Sequence, residues 1–193
     1  MKKILCLTLM MIMTVFSTTA MAVDWRFPLE ITYMSGFSDV VDYYEYKTGG
    51  DASWNLPVGL AFGPYVQFDH GSMIGGKLGP LAYISVDCIG YGCDGADESY
   101  FDVPLKLYYG FTFIPKANIS PYVKAGLSYH IISADSVDDS SPGFYGAVGV
   151  EFMRTRAVGL GLEIAYDTAE LNMDYYRKDI KPGDLLVSFL VIF

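Results

Sequence analysis

Eight charged residues stand where the surrounding sequence is apolar or small: Glu30, Lys77, Asp102, Lys106, Lys124, Glu151, Glu163 and Asp167. Three lysines are set against five carboxylates. Gathered into one enclosed space they have to pair, because an uncompensated charge away from water is expensive. Such a set can act as a structural polar plug. It can also act as a gate, in which ion pairs exchange partners to open a narrow ion path. The plug is the expected use, since paired charges hold each other in place.

Two other kinds of chemistry are written into the chain. Ser128 and His130 sit two residues apart, and an acyl hydrolase needs nucleophile, base and orienting acid within hydrogen-bond reach. Their order and face do not meet that need, so no catalytic residue is assigned, and His70 reads as a turn residue. Acidic clusters recur at Asp39, Asp42, Glu45 and Asp51 (against Lys47), at Asp87, Asp94, Asp97 and Glu98, and at Asp135, Asp138 and Asp139. Oxygen-rich groups can hold calcium or magnesium, but none has the spacing of a calcium loop. Solvated loops are expected, with no metal and no cofactor. Tyr43, Tyr44, Tyr46, Tyr175 and Tyr176 add aromatic surface fit for recognition.

The elements that carry these residues follow a leader. Lys2 and Lys3 precede an uncharged, mostly apolar run from Ile4 to Phe16, and Ala20-Met21-Ala22 offers an A-x-A cleavage site. Residues 1–22 read as a cleaved signal peptide, leaving 23–193 as one domain. Export makes a disulfide between Cys88 and Cys93 the favoured state over two free or metal-binding thiols. The whole chain carries 13 basic against 22 acidic residues, a net charge of −9, and loss of Lys2 and Lys3 takes this to −11. That balance argues against a nucleic-acid partner. With 52% hydrophobic and 18% charged residues but no segment that reads as a spanning helix, the mature chain must hide apolar surface another way. Lipid-facing strands are one such way.

A period of two runs through the chain, as in strands with one apolar face. Phe27, Leu29, Ile31 and Tyr33 alternate with Arg26, Pro28, Glu30 and Thr32. Trp54, Leu56, Val58, Leu60, Phe62, Pro64, Val66 and Phe68 alternate with Gly- and Ala-rich positions. Ile74, Leu78, Ala82 and Ile84 are read on the apolar face against Met73, Lys77 and Tyr83. The pattern returns from Phe101 to Phe113, Val123 to Ile131, Phe144 to Phe152, Val158 to Tyr166 and Leu185 to Phe193. Eight strands result. Long polar segments are expected at 38–53, 87–99, 134–143 and 169–183, and short turns at 69–72, 114–118 and 153–157. That asymmetry is the one expected of a transmembrane barrel with extracellular loops and periplasmic turns. Its second face, poor in charge for a solvated surface, fits a crowded interior. A soluble lipocalin-like barrel, with the apolar face turned inward, is the rival. Pro80 falls inside the third strand, where a bulge at Gly79-Pro80 is expected.

The terminal strand Leu185-Leu186-Val187-Ser188-Phe189-Leu190-Val191-Ile192-Phe193, together with Pro121 to His130 and Gly146 to Phe152, resembles the small OmpA/OmpX/OmpW-like outer-membrane β-barrels. The resemblance covers the mature chain. It implies an all-β, eight-stranded antiparallel up-and-down barrel in the outer membrane of a Gram-negative bacterium. It further implies that Phe189, Val191 and Phe193 are read by the barrel-assembly machinery. No peptidoglycan-binding domain is expected after Phe193. Lipid A deacylase barrels place a His-x-Ser pair near the lipid, whereas here the order is Ser-x-His on the other face. The expected protein is a monomer amid membrane lipid and lipopolysaccharide, with a structural, adhesive or ligand-binding role at its loops. A narrow channel for ions or small hydrophobic solutes is the alternative, and a lipid-modifying enzyme comes after it.

Overall fold

The structure is a computed structural model that describes residues 23–48, 51–54, 57–87, 98–134, 137–170 and 184–193. The expected leader, Cys88, Cys93, Tyr175 and Tyr176 lie outside the described residues. Two segments form the first wall of the sheet, β1 (Val23–Arg26) and β2 (Pro28–Met34). Three form the second, β3 (Asp51–Trp54), β4 (Val58–Phe62) and β5 (Tyr65–Phe68). One strand makes each remaining wall: β6 (Ser72–Asp87), β7 (Glu98–Thr112), β8 (Ile119–Ala134), β9 (Val137–Phe152), β10 (Gly159–Asp167) and β11 (Asp184–Ile192). Neighbouring walls are antiparallel, and β11 returns to β2 in a register running from Leu186 opposite Met34 to Ile192 opposite Pro28. Phe27 and Phe193 then exchange both backbone hydrogen bonds, at 3.0 and 3.2 Å. The molecule is therefore a closed barrel of eight antiparallel walls.

Side-chain direction follows the alternation. Leu29, Ile31, Leu60, Phe62, Leu107, Tyr109, Leu127, Phe144, Ile164 and Phe189 are exposed on the outer wall, Leu107 and Phe144 to 70%. Their neighbours Glu30, Thr32, Ala61, Lys106, Tyr108, Ser128, Tyr145, Glu163 and Ser188 are buried. An outward apolar face is the inverse of a lipocalin and excludes that rival. Phe27, Phe113, Tyr129, Phe193 and Trp25 also face outward, the residue types that form interfacial aromatic girdles on such barrels.

The third wall corrects the sequence reading at two positions. Ala82 and Ile84 are buried, whereas Leu81 and Tyr83 are exposed. Leu78 pairs with Leu105 but Ala82 pairs with Asp102, so four steps on β6 match three on β7. One extra residue exchanges the two faces of a strand from that point onward. The register shift spans the cis Gly79-Pro80 bond, where a bulge was anticipated; its effect on the face of Ala82 and Ile84 was not. The second wall is likewise interrupted, at Gly63-Pro64 between β4 and β5, where β6 takes over the pairing with each in turn.

Two expected loops are replaced by ordered structure. Residues 38–53 were read as a polar loop, but helix α1 (Phe37–Thr48) occupies most of that stretch. Phe37, Val40, Val41 and Tyr43 are buried and share one apolar cluster with Met34, Ile84, Tyr100, Ile132 and Leu186. Tyr43 is thus a core residue at 4% exposure, not part of a surface patch. Positions 37, 40 and 41 recur at helical spacing, a signal hidden by the acidic and tyrosine residues between them. The third loop, read as 134–143, is mostly strand: β8 and β9 stay paired to Ala134 opposite Val137.

A methyl group has no room at Gly63, because its Cβ would fall onto the carbonyl oxygen of Gly76 and 2.5 Å from Lys77 Cα. Gly63→Ala is therefore expected to lower the urea midpoint of refolded protein in vesicles by an amount equivalent to about 1–3 kcal/mol. An unchanged midpoint would show that β4–β5 and β6 are free to separate there.

Candidate functional site

All eight charged residues singled out in the sequence lie inside the barrel, each at 5% exposure or less. Period two puts Glu163 and Asp167, four apart on β10, on the same inner stripe. Lys77 on β6 and Lys106 on β7 are direct cross-strand partners, an unfavourable placement for like charges unless each has its own anion. They do. Lys77 contacts Glu30 and Glu163, the latter at 3.0 Å, and Lys106 lies 2.8 Å from Asp167.

Glu163 is the centre of the middle layer. Lys77 Nζ donates to Oε1 at 3.0 Å and Lys124 Nζ to Oε2 at 2.8 Å. The hydroxyls of Tyr145 and Tyr122 donate to the same two oxygens at 2.6 and 2.9 Å. Four donors around one carboxylate replace a hydration shell. Lys124 also lies 4.5 Å from the ring centre of Tyr122 and 4.9 Å from that of Tyr108. Those rings spread the ammonium charge over aromatic faces. Glycines opposite make room for them: a Cβ at Gly75 would lie 2.5 Å from the Tyr108 hydroxyl.

The layer towards α1 is built on Asp167. Its Oδ1 accepts from the Ser128 hydroxyl at 2.6 Å and the Ala169 amide at 3.2 Å. His130 lies between two carboxylates, with Nδ1 2.8 Å from Asp102 and Nε2 3.2 Å from Asp167. Ser128 thus bonds the carboxylate and not the imidazole, so no nucleophile–base pair is formed. The opposite layer, at the short-turn end, is built on Glu151. The Tyr65 hydroxyl donates to Oε1 at 2.6 Å and Arg154 Nη1 to Oε2 at 2.8 Å. Arg154 also bonds the Gln67 carbonyl, and Arg26 donates to the Arg154 backbone oxygen at 3.1 Å.

Two members of this network were not read from the sequence in these roles. Arg154 belongs to a segment read as a turn, yet Met153 adopts a positive φ of 54°, and Arg154 reaches back to the carboxylate three residues earlier. In the sequence His130 stands out only as a candidate base beside Ser128. Among the described buried residues, Lys77, Lys106, Lys124 and Arg154 face five carboxylates. With both neighbouring carboxylates ionised, His130 can bond both only as imidazolium, which makes the charges equal. The hydroxyl donors Tyr65, Tyr122 and Tyr145 were legible as inward residues; that they would serve carboxylates was not. Among the described residues, no group of three or more His, Cys, Asp or Glu is arranged to hold a metal ion. Phe189, Val191 and Phe193 lie on the outer wall, Val191 half-buried.

The family model described as outer membrane protein beta-barrel domain matches residues 8–193. Among solved structures, the outer membrane protein OprG from Pseudomonas aeruginosa is 11% identical, with a TM-score of 0.51, covering 89% of this chain and 94% of its own. Neisserial surface protein A is 15% identical, with a TM-score of 0.35 over 89% of this chain and 96% of its own. The attachment invasion locus protein Ail of Yersinia pestis, solved with the heparin analogue sucrose octasulfate, is 10% identical, with a TM-score of 0.40 over 89% and 94%. The likeness to OprG is one of fold. No curated protein sequence matches the chain.

Removing the Glu163 carboxylate strands Lys124 and two tyrosine hydroxyls. Glu163→Ala is expected to cost about 3–5 kcal/mol in urea unfolding from vesicles. Among the described residues Lys116→Ala breaks a single 3.9 Å pair of exposed side chains and serves as the control, with a change under about 0.5 kcal/mol.

Proposed function

The chain belongs to the outer membrane protein beta-barrel domain family, and from that premise we propose a barrel with a sealed lumen that works at its extracellular end, in a structural, adhesive or ligand-binding role. The observation that carries this reading is the stack of polar clusters on Glu151, Glu163 and Asp167, with Lys124 5.8 Å from the Tyr65 ring centre and Lys106 4.8 Å from that of Tyr145 between them, topped by the apolar face of α1. Eight walls leave little interior beyond their own side chains, and here those side chains are tied to one another. What remains available is the loop end, where Asp42 is exposed on α1. In this reading residues 1–22 are removed on export, Phe189, Val191 and Phe193 are read during assembly, and the barrel is a monomer amid lipid and lipopolysaccharide.

A second reading, passage of small hydrophobic solutes, draws on one feature. A cavity of about 360 Å³ lies in the wall beside the β4–β5 break. It is lined by Phe62, Pro64, Leu78, Leu105 and Leu107, with Lys77 and Lys106 also at its surface. Uptake of a small apolar dye into proteoliposomes should exceed that of protein-free vesicles if this reading holds, and Leu107→Trp should reduce it.

For the sealed lumen, planar-bilayer recordings of the refolded wild type are expected to show no unitary current steps, and Lys106→Ala to stay equally silent. Reproducible steps in the wild type whose size changes in Lys106→Ala would overturn it in favour of an ion path.

A further inference from the structure

We propose that the short-turn mouth of the barrel, periplasmic in this family, holds a binding site for a phosphate group that carries an ammonium a few bonds away, the chemistry of phosphoethanolamine. The site is independent of the role assigned to the opposite end. A cavity of about 210 Å³ opens there. Gln67 and Arg154, 2% and 4% exposed, are among its lining residues, and each keeps a buried nitrogen, Nε2 and Nε, without an acceptor among the described residues. Such donors cost free energy unless something accepts from them. Lys116, 82% exposed on its side chain, lines the same cavity and, among the described residues, pairs with Asp69 at 3.9 Å.

These three donors come from three different places: β5, the turn after β7 and the turn after β9. Convergence from several directions suits a tetrahedral oxyanion, whose oxygens point several ways, better than a planar carboxylate. The rim also carries Asp24 and Asp69, both about half exposed. Two carboxylates beside a bare dianion would repel it, whereas an attached ammonium gives them a partner. The cavity is large enough for such a headgroup.

The test uses the refolded full barrel with 15N-labelled arginine in phosphate-free buffer, reading the Nε–H signals of Arg26, Arg154, Arg156 and Arg177. O-phosphoethanolamine is expected to shift the Arg154 signal saturably, and inorganic phosphate to do so more weakly. Lys116→Ala should weaken the apparent affinity roughly tenfold, the loss of one charge-assisted contact. Gln67→Glu, which replaces the orphan donor by an acceptor, should abolish the shift, with folding of both variants checked by heat-modifiable migration. Nanodiscs separate the two sources of the headgroup. If the lipid fills the site, phosphatidylethanolamine discs show the shifted Arg154 signal already, and phosphatidylglycerol discs do not. If the ligand is soluble, the two discs give the same spectrum until O-phosphoethanolamine is added. An Arg154 signal that ignores every phosphate probe, or that moves equally with chloride at matched ionic strength, overturns the proposal.

Discussion

Glu163 is buried inside the barrel, and its charge is held by four donors from three strands: Lys77, Lys124, Tyr122 and Tyr145. Those strands are β6, β8 and β9, with Lys124 and Tyr122 sharing β8, and they approach the carboxylate on β10 from across the lumen. Each donor is usable only if its strand faces inward at that height. The network therefore demands a single register around the circumference, and any slip would turn a lysine towards lipid. The same demand explains the inner glycines, which leave the volume that the tyrosine rings occupy.

The lysines illustrate how a costly arrangement becomes a specific one. Lys77 and Lys106 oppose each other directly across β6 and β7, which on its own disfavours the pairing. Because one reaches towards Glu30 and Glu163 and the other towards Asp167, the repulsion is resolved only in the closed barrel. Half a barrel would leave the cations unmatched. Closure and charge pairing are in this sense a single event.

Much of this was legible in the sequence because a strand has a period of exactly two residues and lipid enforces it on one side. The alternation placed Glu30, Lys106, Lys124 and Glu163 together without any knowledge of contacts. It failed at Ala82 and Ile84, where one inserted residue reverses the faces and nothing in the local composition counts it. It failed again at 37–48, where acidic and tyrosine residues gave a polar average that concealed a helical apolar stripe. Arg154 was missed for a third reason: its inward direction is set by the backbone turn at Met153, not by periodicity. Which carboxylate each donor reaches depends on barrel curvature, and that is a property of the closed structure alone.

Helix α1 is joined to β2 and to β3 by two residues on either side. The mouth of the barrel is thus filled by a segment that cannot diffuse away. In the language of tethered ligands, its effective concentration at the mouth is about millimolar or higher. Any outside molecule that sought the apolar residues beneath α1 would compete with an occupant already on a short leash. A molecule that arrived at this end of the barrel would meet the outer side of the helix, because its underside is already covered by the chain itself.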